Sequence, residues 1–457
     1  MSEDVSSDQG RVAELRALAA SVFEAGVEAA DPRKVVLAAF RRTSTGRPTI
    51  GGEPISEDGD LRIVAFGKAA VTMARAATEV LSEADFAGPG ILAVNPENRA
   101  EVDRFQVFAP SHPVPDAVGV AAATAVERYL ADSRDSDALL VLISGGGSSL
   151  LPLPAPGLSL EDKMVTTRVL LSCGAPIQEI NCVRKHLSTL KGGGLARLAA
   201  PARIESLILS DVIGDDLSSI ASGPTVADPT TFSDAMEILV HYDLREAVPA
   251  PVLRRLEQGV AGRIADTPTE GDPVFARVEN RLVGSNRQSL AAARTRVSRN
   301  GYAVVMASNE LLGEARDAAA ELHAAAQLHW DGESRLAILA GGETTVTLRA
   351  NGLGGRNQEM ALAFSLLCEA EPLAGSWVFL SGGTDGLDGP TDAAGGVVDS
   401  GTPDRIRRSG LDPAVELERH NSNVALAASN DLLVTGPTGT NVADLQVLLL
   451  AADQPLR

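Results

Sequence analysis

Lysine is nearly missing from this sequence. Five are present, Lys34, Lys68, Lys163, Lys185 and Lys191, so the 40 basic residues are almost all arginine. No block of five or more basic residues occurs and the formal net charge is -20. Both features argue against a nucleic acid or an anionic membrane as partner, and an anionic substrate would need a local basic pocket. Acid excess with arginine replacing lysine fits a salt-adapted or GC-rich source. Aromatics make up only 3%, although aliphatic residues are ample for packed cores. The three cysteines, Cys173, Cys182 and Cys368, have no CxxC spacing, which removes a disulfide framework and a zinc site and fits a reducing cytoplasm. No apolar run approaches the ~18 residues a membrane helix requires. The opening MSEDVSSDQG has no apolar core of a secretory signal. A soluble, cytoplasmic protein is expected, as monomer or homodimer.

The familiar nucleotide signatures are missing too. A phosphate loop of the GxxxxGK[ST] kind would need glycine where Arg62 stands and Ser or Thr where Ala69 follows Gly67-Lys68. A dinucleotide fingerprint fails because Leu150, Arg197 and Asn357 occupy the last glycine position of the three candidate runs. The residues therefore give no support for NAD.

What is present is a repeated junction in which an apolar strand runs into glycines and small polar residues. Residues 139–143 lead into Ser144-Gly145-Gly146-Gly147-Ser148-Ser149, and 336–340 into Gly341-Gly342-Glu343-Thr344. Residues 378–380 lead into Ser381-Gly382-Gly383-Thr384-Asp385, and 207–209 into Ser210-Asp211, with Asp215 close behind. Continuous apolar runs suit strands buried on both faces, and ligands of parallel α/β sheets bind beyond the carboxyl ends of the strands. Glycines let backbone N–H groups approach an anion, and Ser148 or Ser149 opens the next helix. An α/β fold of two domains is expected, the default for 457 residues.

Lys68 sits at another strand-to-helix junction, where the helix dipole disfavours a cation, so an anionic partner is expected there. Arg356, after Gly354-Gly355, follows the same logic. Asp211, Asp215, Asp385 and Asp388 offer hard oxygen ligands for Mg²⁺, with plain turn chemistry as the alternative. Glu343 is either a site carboxylate or a cap. Arg184 and Lys191 fall on one face of a helix read over 177–190, as a phosphate-facing edge or a solvated face. A structural hydrogen bond suits His112, in its proline-stiffened loop, at least as well as catalysis.

At these residues the sequence resembles the class II glycerate kinases. The resemblance is carried by Phe66-Gly67-Lys68-Ala69-Ala70, by Ser111-His112-Pro113-Val114-Pro115-Asp116, by the glycine run after Ile143, and by residues 181–194 (NCVRKHLSTLKGGG). It is carried further by Ser210-Asp211-Val212 with Gly214-Asp215, and by Ser222-Gly223-Pro224-Thr225. In the second half, the Gly341, Gly354-Gly355-Arg356-Asn357-Gln358-Glu359 and Gly382 motifs are similar to the small MOFRL domain. The resemblance covers nearly the whole chain. It implies ATP- and Mg²⁺-dependent phosphorylation of D-glycerate to 2-phosphoglycerate, in a cleft between a Rossmann-like domain over 11–265 and a smaller α/β domain over 275–457. The last ~20 residues are open to a return to the first domain. By motif the family's phosphate-binding lysine falls on Lys68, its arginine on Arg356 and its active-site aspartate on Asp211. Two departures are Cys182, where threonine is usual, and Gly194, where a longer side chain is frequent. Phosphate or nucleotide contacts are expected from Ser144 to Ser149, Lys191, Gly341, Gly342 and Glu343, and metal contacts from Asp215, Asp385 and Asp388. The rival readings are an NAD(P)H-dependent hydroxypyruvate reductase and a nucleotide-binding module without turnover.

Overall fold

The computed structural model describes residues 2–56, 59–86 and 88–452, with side chains from residue 10 onward. Its contacts fall into two units, residues 32–283 and residues 1–31 with 284–457.

In the first unit a six-stranded sheet is built from β1 (Leu61–Phe66), β2 (Gly90–Ala93), β3 (Phe105–Phe108), β4 (Ala138–Ile143), β5 (Arg203–Leu209) and β6 (Val278–Gly284). Their spatial order is β3-β2-β1-β4-β5-β6. The pairs from β3 through β5 are parallel. This is the doubly wound order in which the chain reverses direction across the sheet between β1 and β4, opening a crevice at their carboxyl ends. The register sets Phe66 beside Ile143, so the loops that follow must leave the sheet side by side. β4 is buried at all six positions, as its unbroken apolar sequence requires. The helix Ala117–Leu130 covers the sheet with Ala122, Val126 and Leu130, and Asp116 caps it by accepting from the Gly119 amide. The helices Leu160–Ser172, Ile177–His186, Phe232–His241 and Ala250–Val260 form a separate small core around Leu170, Val183, Phe232 and Leu256.

The second unit has β7 (Ala303–Leu311), β8 (Arg335–Gly342), β9 (Ser376–Gly383), β10 (Gly395–Asp399), β11 (Leu432–Leu433) and β12 (Asp444–Ala451), in the order β7-β8-β12-β9-β10-β11. β12 is inserted antiparallel between β8 and β9, with Asp444 in register with Gly342 on one side and Gly383 on the other. One edge of the sheet thus gathers the ends of β8 and β9 and the beginning of β12. The helices Ala315–His329 and Arg356–Ala370 pack one face, around Phe364, Trp377 and Phe379. The helices Ser2–Ala29 and Asn286–Ser298 pack the other.

Two boundaries differ from the sequence reading, and the place of the last strand, left open there, is given by its packing. Residues 11–31 do not join the N-terminal domain: Leu15, Ala19, Val22 and Phe23 bury themselves against Val378, Leu380, Leu445 and Val447 of the second sheet. The strand after residue 275 completes the first sheet as β6, because Val278 and Leu282 pack on its core. The terminal strand stays in the second unit, where all eight residues of β12 are buried. Among the described residues no helix is long and apolar enough to cross a membrane.

Candidate active site

In the first unit the loops after β1 and β4 are stitched together. The Lys68 amide donates to Gly145 O at 2.9 Å, the Ser144 amide to Phe66 O at 3.1 Å, and the Ala69 amide to Ser144 Oγ at 3.0 Å. Ser144 therefore serves the site by fixing the Lys68 turn, and Ser149 closes the glycine turn by donating to Gly146 O. Three groups crowd the glycines. A Cβ on Gly145 would stand 2.0 Å from Asp211 Oδ2, and one on Gly146 would stand 2.9 Å from His112 Nε2 and 3.4 Å from Lys68 Cγ. Gly146 has φ 82°, a conformation that only glycine adopts without strain. Lys68, His112 and Asp211, from three different strand ends, thus meet over one glycine loop at the crevice between β1 and β4. Burial pushes the His112 imidazole below its ordinary pKa, and the Lys68 ammonium adds to the fall against the opposing pull of Glu97. His112 is neutral at pH 7.

The first turn after the glycines is held from behind. Ser148 Oγ shares a 2.6 Å hydrogen bond with Ser222 Oγ, and Ser148 O accepts from Lys191 Nζ at 2.7 Å. Ala221, Ser222 and Gly223 all have positive φ, at 51°, 63° and 60°. Left-handed backbone at non-glycine residues costs on the order of 1 kcal/mol each and persists only where its surroundings impose it. Here the amides of Gly192 and Gly193 impose it by donating to Ser222 O and Gly223 O. Lys191 is 4% exposed, beyond the end of its helix at His186, and burial sets its pKa well below that of a free lysine, with Arg184 and Lys163 adding to the fall. The structure uses Lys191 as a support of the loop. Asp215 sits at φ 56° in the turn after Asp211, its amide on Val212 O.

In the second unit Arg356 opens its helix at the edge where β8, β9 and β12 meet. Its Nε and Nη2 grip the Asp444 carboxylate at 2.6 and 3.0 Å, and Nη1 reaches Glu343 at 2.7 Å. Burial works against the guanidinium charge, but Asp444 outweighs it and sets the Arg356 pKa above its ordinary value. Burial pushes Asp444 up to about 6 in spite of Arg356, which pulls the other way, and Asp388 adds to the rise. Asp385 lies at the same edge: a Cβ on Gly383 would meet Asp385 Oδ1 at 3.2 Å and Asp444 Oδ1 at 3.5 Å. Asp388, expected as a metal ligand, is 3% exposed and engaged by the helix Arg356–Ala370. Its two oxygens accept from the amides of Asn357 and Gln358 and from the Gln358 side chain, capping the helix that Arg356 begins. Gly341 and Gly342 also answer to packing: side chains there would strike Asn286 Oδ1 and Leu311 O, each at 2.1 Å. Among the described residues no three His, Cys, Asp or Glu side chains are grouped to hold a metal.

Sequence reasoning missed Asp444 and Asn286. Asn286 Nδ2 donates to Val442 O and Asp444 O, while its Oδ1, with Ser285 Oγ and Thr344 Oγ1, is buried without a hydrogen-bond partner. A polar residue at the amino end of the apolar run 445–451 was the only signal for Asp444.

Residues 18–257 match the family model described as a domain of unknown function, DUF4147, and residues 336–444 match the MOFRL family. The chain is 39% identical over 445 residues to the glycerate 2-kinase of Pyrococcus horikoshii, spanning 96% of this chain and 98% of that one. It is 38% identical over 437 residues to an Agrobacterium vitis protein carried under the provisional name hydroxypyruvate reductase, with 94% and 93% covered. A solved structure of a glycerate kinase from Thermotoga maritima is similar at TM-score 0.83 and 35% identity, over 96% of this chain and all of that one.

Proposed function

We propose, because the chain belongs to the class II glycerate kinase family, that it transfers the γ-phosphoryl group of ATP to the 2-hydroxyl of D-glycerate. The observation that carries this reading for the individual residues is the convergence of Lys68, His112 and Asp211 over Gly145 and Gly146. Phosphoryl transfer asks for positioning and charge neutralisation more than covalent chemistry. The Lys68 ammonium neutralises charge that grows on the transferred group. The Asp211 carboxylate orients the attacking hydroxyl and takes its proton, and neutral His112 donates to or accepts from the same substrate. Arg356, held rigid by Asp444 and Glu343, presents its remaining N–H groups to phosphate oxygens.

Mg²⁺ bound to a nucleotide needs only one or two protein carboxylates, the rest of its shell being phosphate and water. Asp215, in the turn after Asp211, and Asp385, at the edge beside Asp444, are each proposed as such a carboxylate. When bound, Mg²⁺ would shield charge on the phosphates.

The test is to supply ATP, Mg²⁺ and D-glycerate together with enolase, pyruvate kinase, lactate dehydrogenase and NADH, without phosphoglycerate mutase. NADH loss reports 2-phosphoglycerate. A signal that needs added mutase would reassign the product to 3-phosphoglycerate. Direct NADH oxidation by this protein with hydroxypyruvate would favour the reductase named for the Agrobacterium relative, and ATP binding without turnover the binding module.

A further inference from the structure

The first unit holds a cavity of about 280 Å³ lined by Lys185, His186, Lys191, Arg197, Arg255 and Thr267 among others. In a chain of net charge -20 with five lysines, two of them line this one space together with two arginines. The cations are only partly answered. Lys185 pairs with Asp228 at 3.2 Å. Arg197 donates to the Asp266 backbone carbonyl, and Arg255 Nε to His186 O at 2.8 Å. Their other guanidinium nitrogens meet no hydrogen-bond acceptor among the described residues.

His186 adds an independent sign of a missing ligand. It is 1% exposed, and its Nε2 has no hydrogen-bond partner. The nearest carboxylate oxygen, Asp266 Oδ1, is 3.6 Å away, too far for one. Its Nδ1 lies 2.9 Å from Cys182 O, and a carbonyl only accepts, so Nδ1 carries a proton, and in the uncharged ring Nε2 then offers a lone pair. Lys191 Nζ is already taken by Ser148 O, so a group that satisfies the cavity must accept from the guanidinium donors and give a hydrogen to Nε2 of the uncharged ring.

We propose that this cavity is an accessory oxyanion site for a small anion bearing a hydroxyl proton, of which hydrogen phosphate is the simplest. None of the glycines 145–147 lines it, and it does not depend on the kinase reading.

The experiment is calorimetric titration of the full-length protein at pH 7.5 with inorganic phosphate and, separately, sulfate, which has the same shape and charge but no proton to give. Phosphate should bind, and sulfate should bind at least about 10-fold more weakly, the cost of leaving Nε2 unmatched. Arg255→Gln, and the more exposed Arg197→Gln as a variant with less effect on folding, should each raise the phosphate Kd about 10-fold, while Lys68→Ala leaves it unchanged. Phosphate binding that vanishes in Lys68→Ala and survives both arginine variants would place the anion on the catalytic loop and overturn the proposal. So would no phosphate binding at all. Sulfate binding equal to phosphate would overturn the part assigned to His186.

Discussion

Gly145 carries the most specific prediction of any single residue. Its φ is not left-handed, so alanine suits the backbone, yet the added methyl would sit 2.0 Å from Asp211 Oδ2 and force that carboxylate aside. Gly145→Ala should lower kcat by ~100-fold or more, as Asp211→Asn should, with an unchanged thermal midpoint. Equal activity of Gly145→Ala and wild type would remove Asp211 from the chemistry. Lys68→Ala should cost a similar ~100-fold in kcat with the fold intact. Asp444 gives a pH prediction. Its carboxyl, up to about 6 when folded, binds a proton more tightly in the native state than in the unfolded chain, where ~3.9 is usual. Its contribution to stability is complete below ~4 and is lost as pH rises through about 6, the reverse of an acid stabilised by a salt bridge. Carboxyl NMR should show this midpoint, and Arg356→Gln should move it higher still, since the guanidinium is what holds it down. A midpoint that falls in that variant would contradict the assignment.

Elements were legible where the local signal and the buried environment agree. The apolar runs at 61–66 and 138–143, the break at Asp31-Pro32 and the Asp116 cap could all be read from sequence because each is decided within a few residues. The convergence of Lys68 and Asp211 followed from one rule, that the carboxyl ends of parallel strands share a crevice. That rule is also why Asp444 escaped: it precedes an antiparallel strand, and no reading of strand ends looks there. The helix read over 177–190 was overextended for a different reason. Helical phase put Lys191 on the face of Arg184, but the helix stops at His186, and the next residues turn inward to hold the 221–223 segment. Asp116 tests how far the element supports the site, since the same carboxylate caps the helix and accepts from Ser111 beside His112. Asp116→Ala should lower stability by about 1 kcal/mol and raise the KM for glycerate. A stability loss with unaltered kinetics would leave His112 outside the site.

At the scale of the whole chain, the two units are unequal in how they are assembled. Residues 32–283 are continuous and contain their own sheet, whereas the second sheet takes its outer layer from residues 2–29, more than 250 residues earlier in the chain. A fragment spanning 32–283 should therefore unfold in one cooperative transition by circular dichroism. A fragment of 284–452 should expose the face made by Val378, Leu380, Leu445 and Val447 and bind a hydrophobic dye until a peptide of residues 2–31 is added. This partition could not be read from sequence because an amphipathic helix announces that it covers something, never which surface. The insertion of β12 between β8 and β9 has a consequence for synthesis on the ribosome. Chain growth delivers the helix Ser2–Ala29 before residues 32–283 and β12 after them, so the apolar side of the helix cannot meet that central strand until the residues of the other unit have been made.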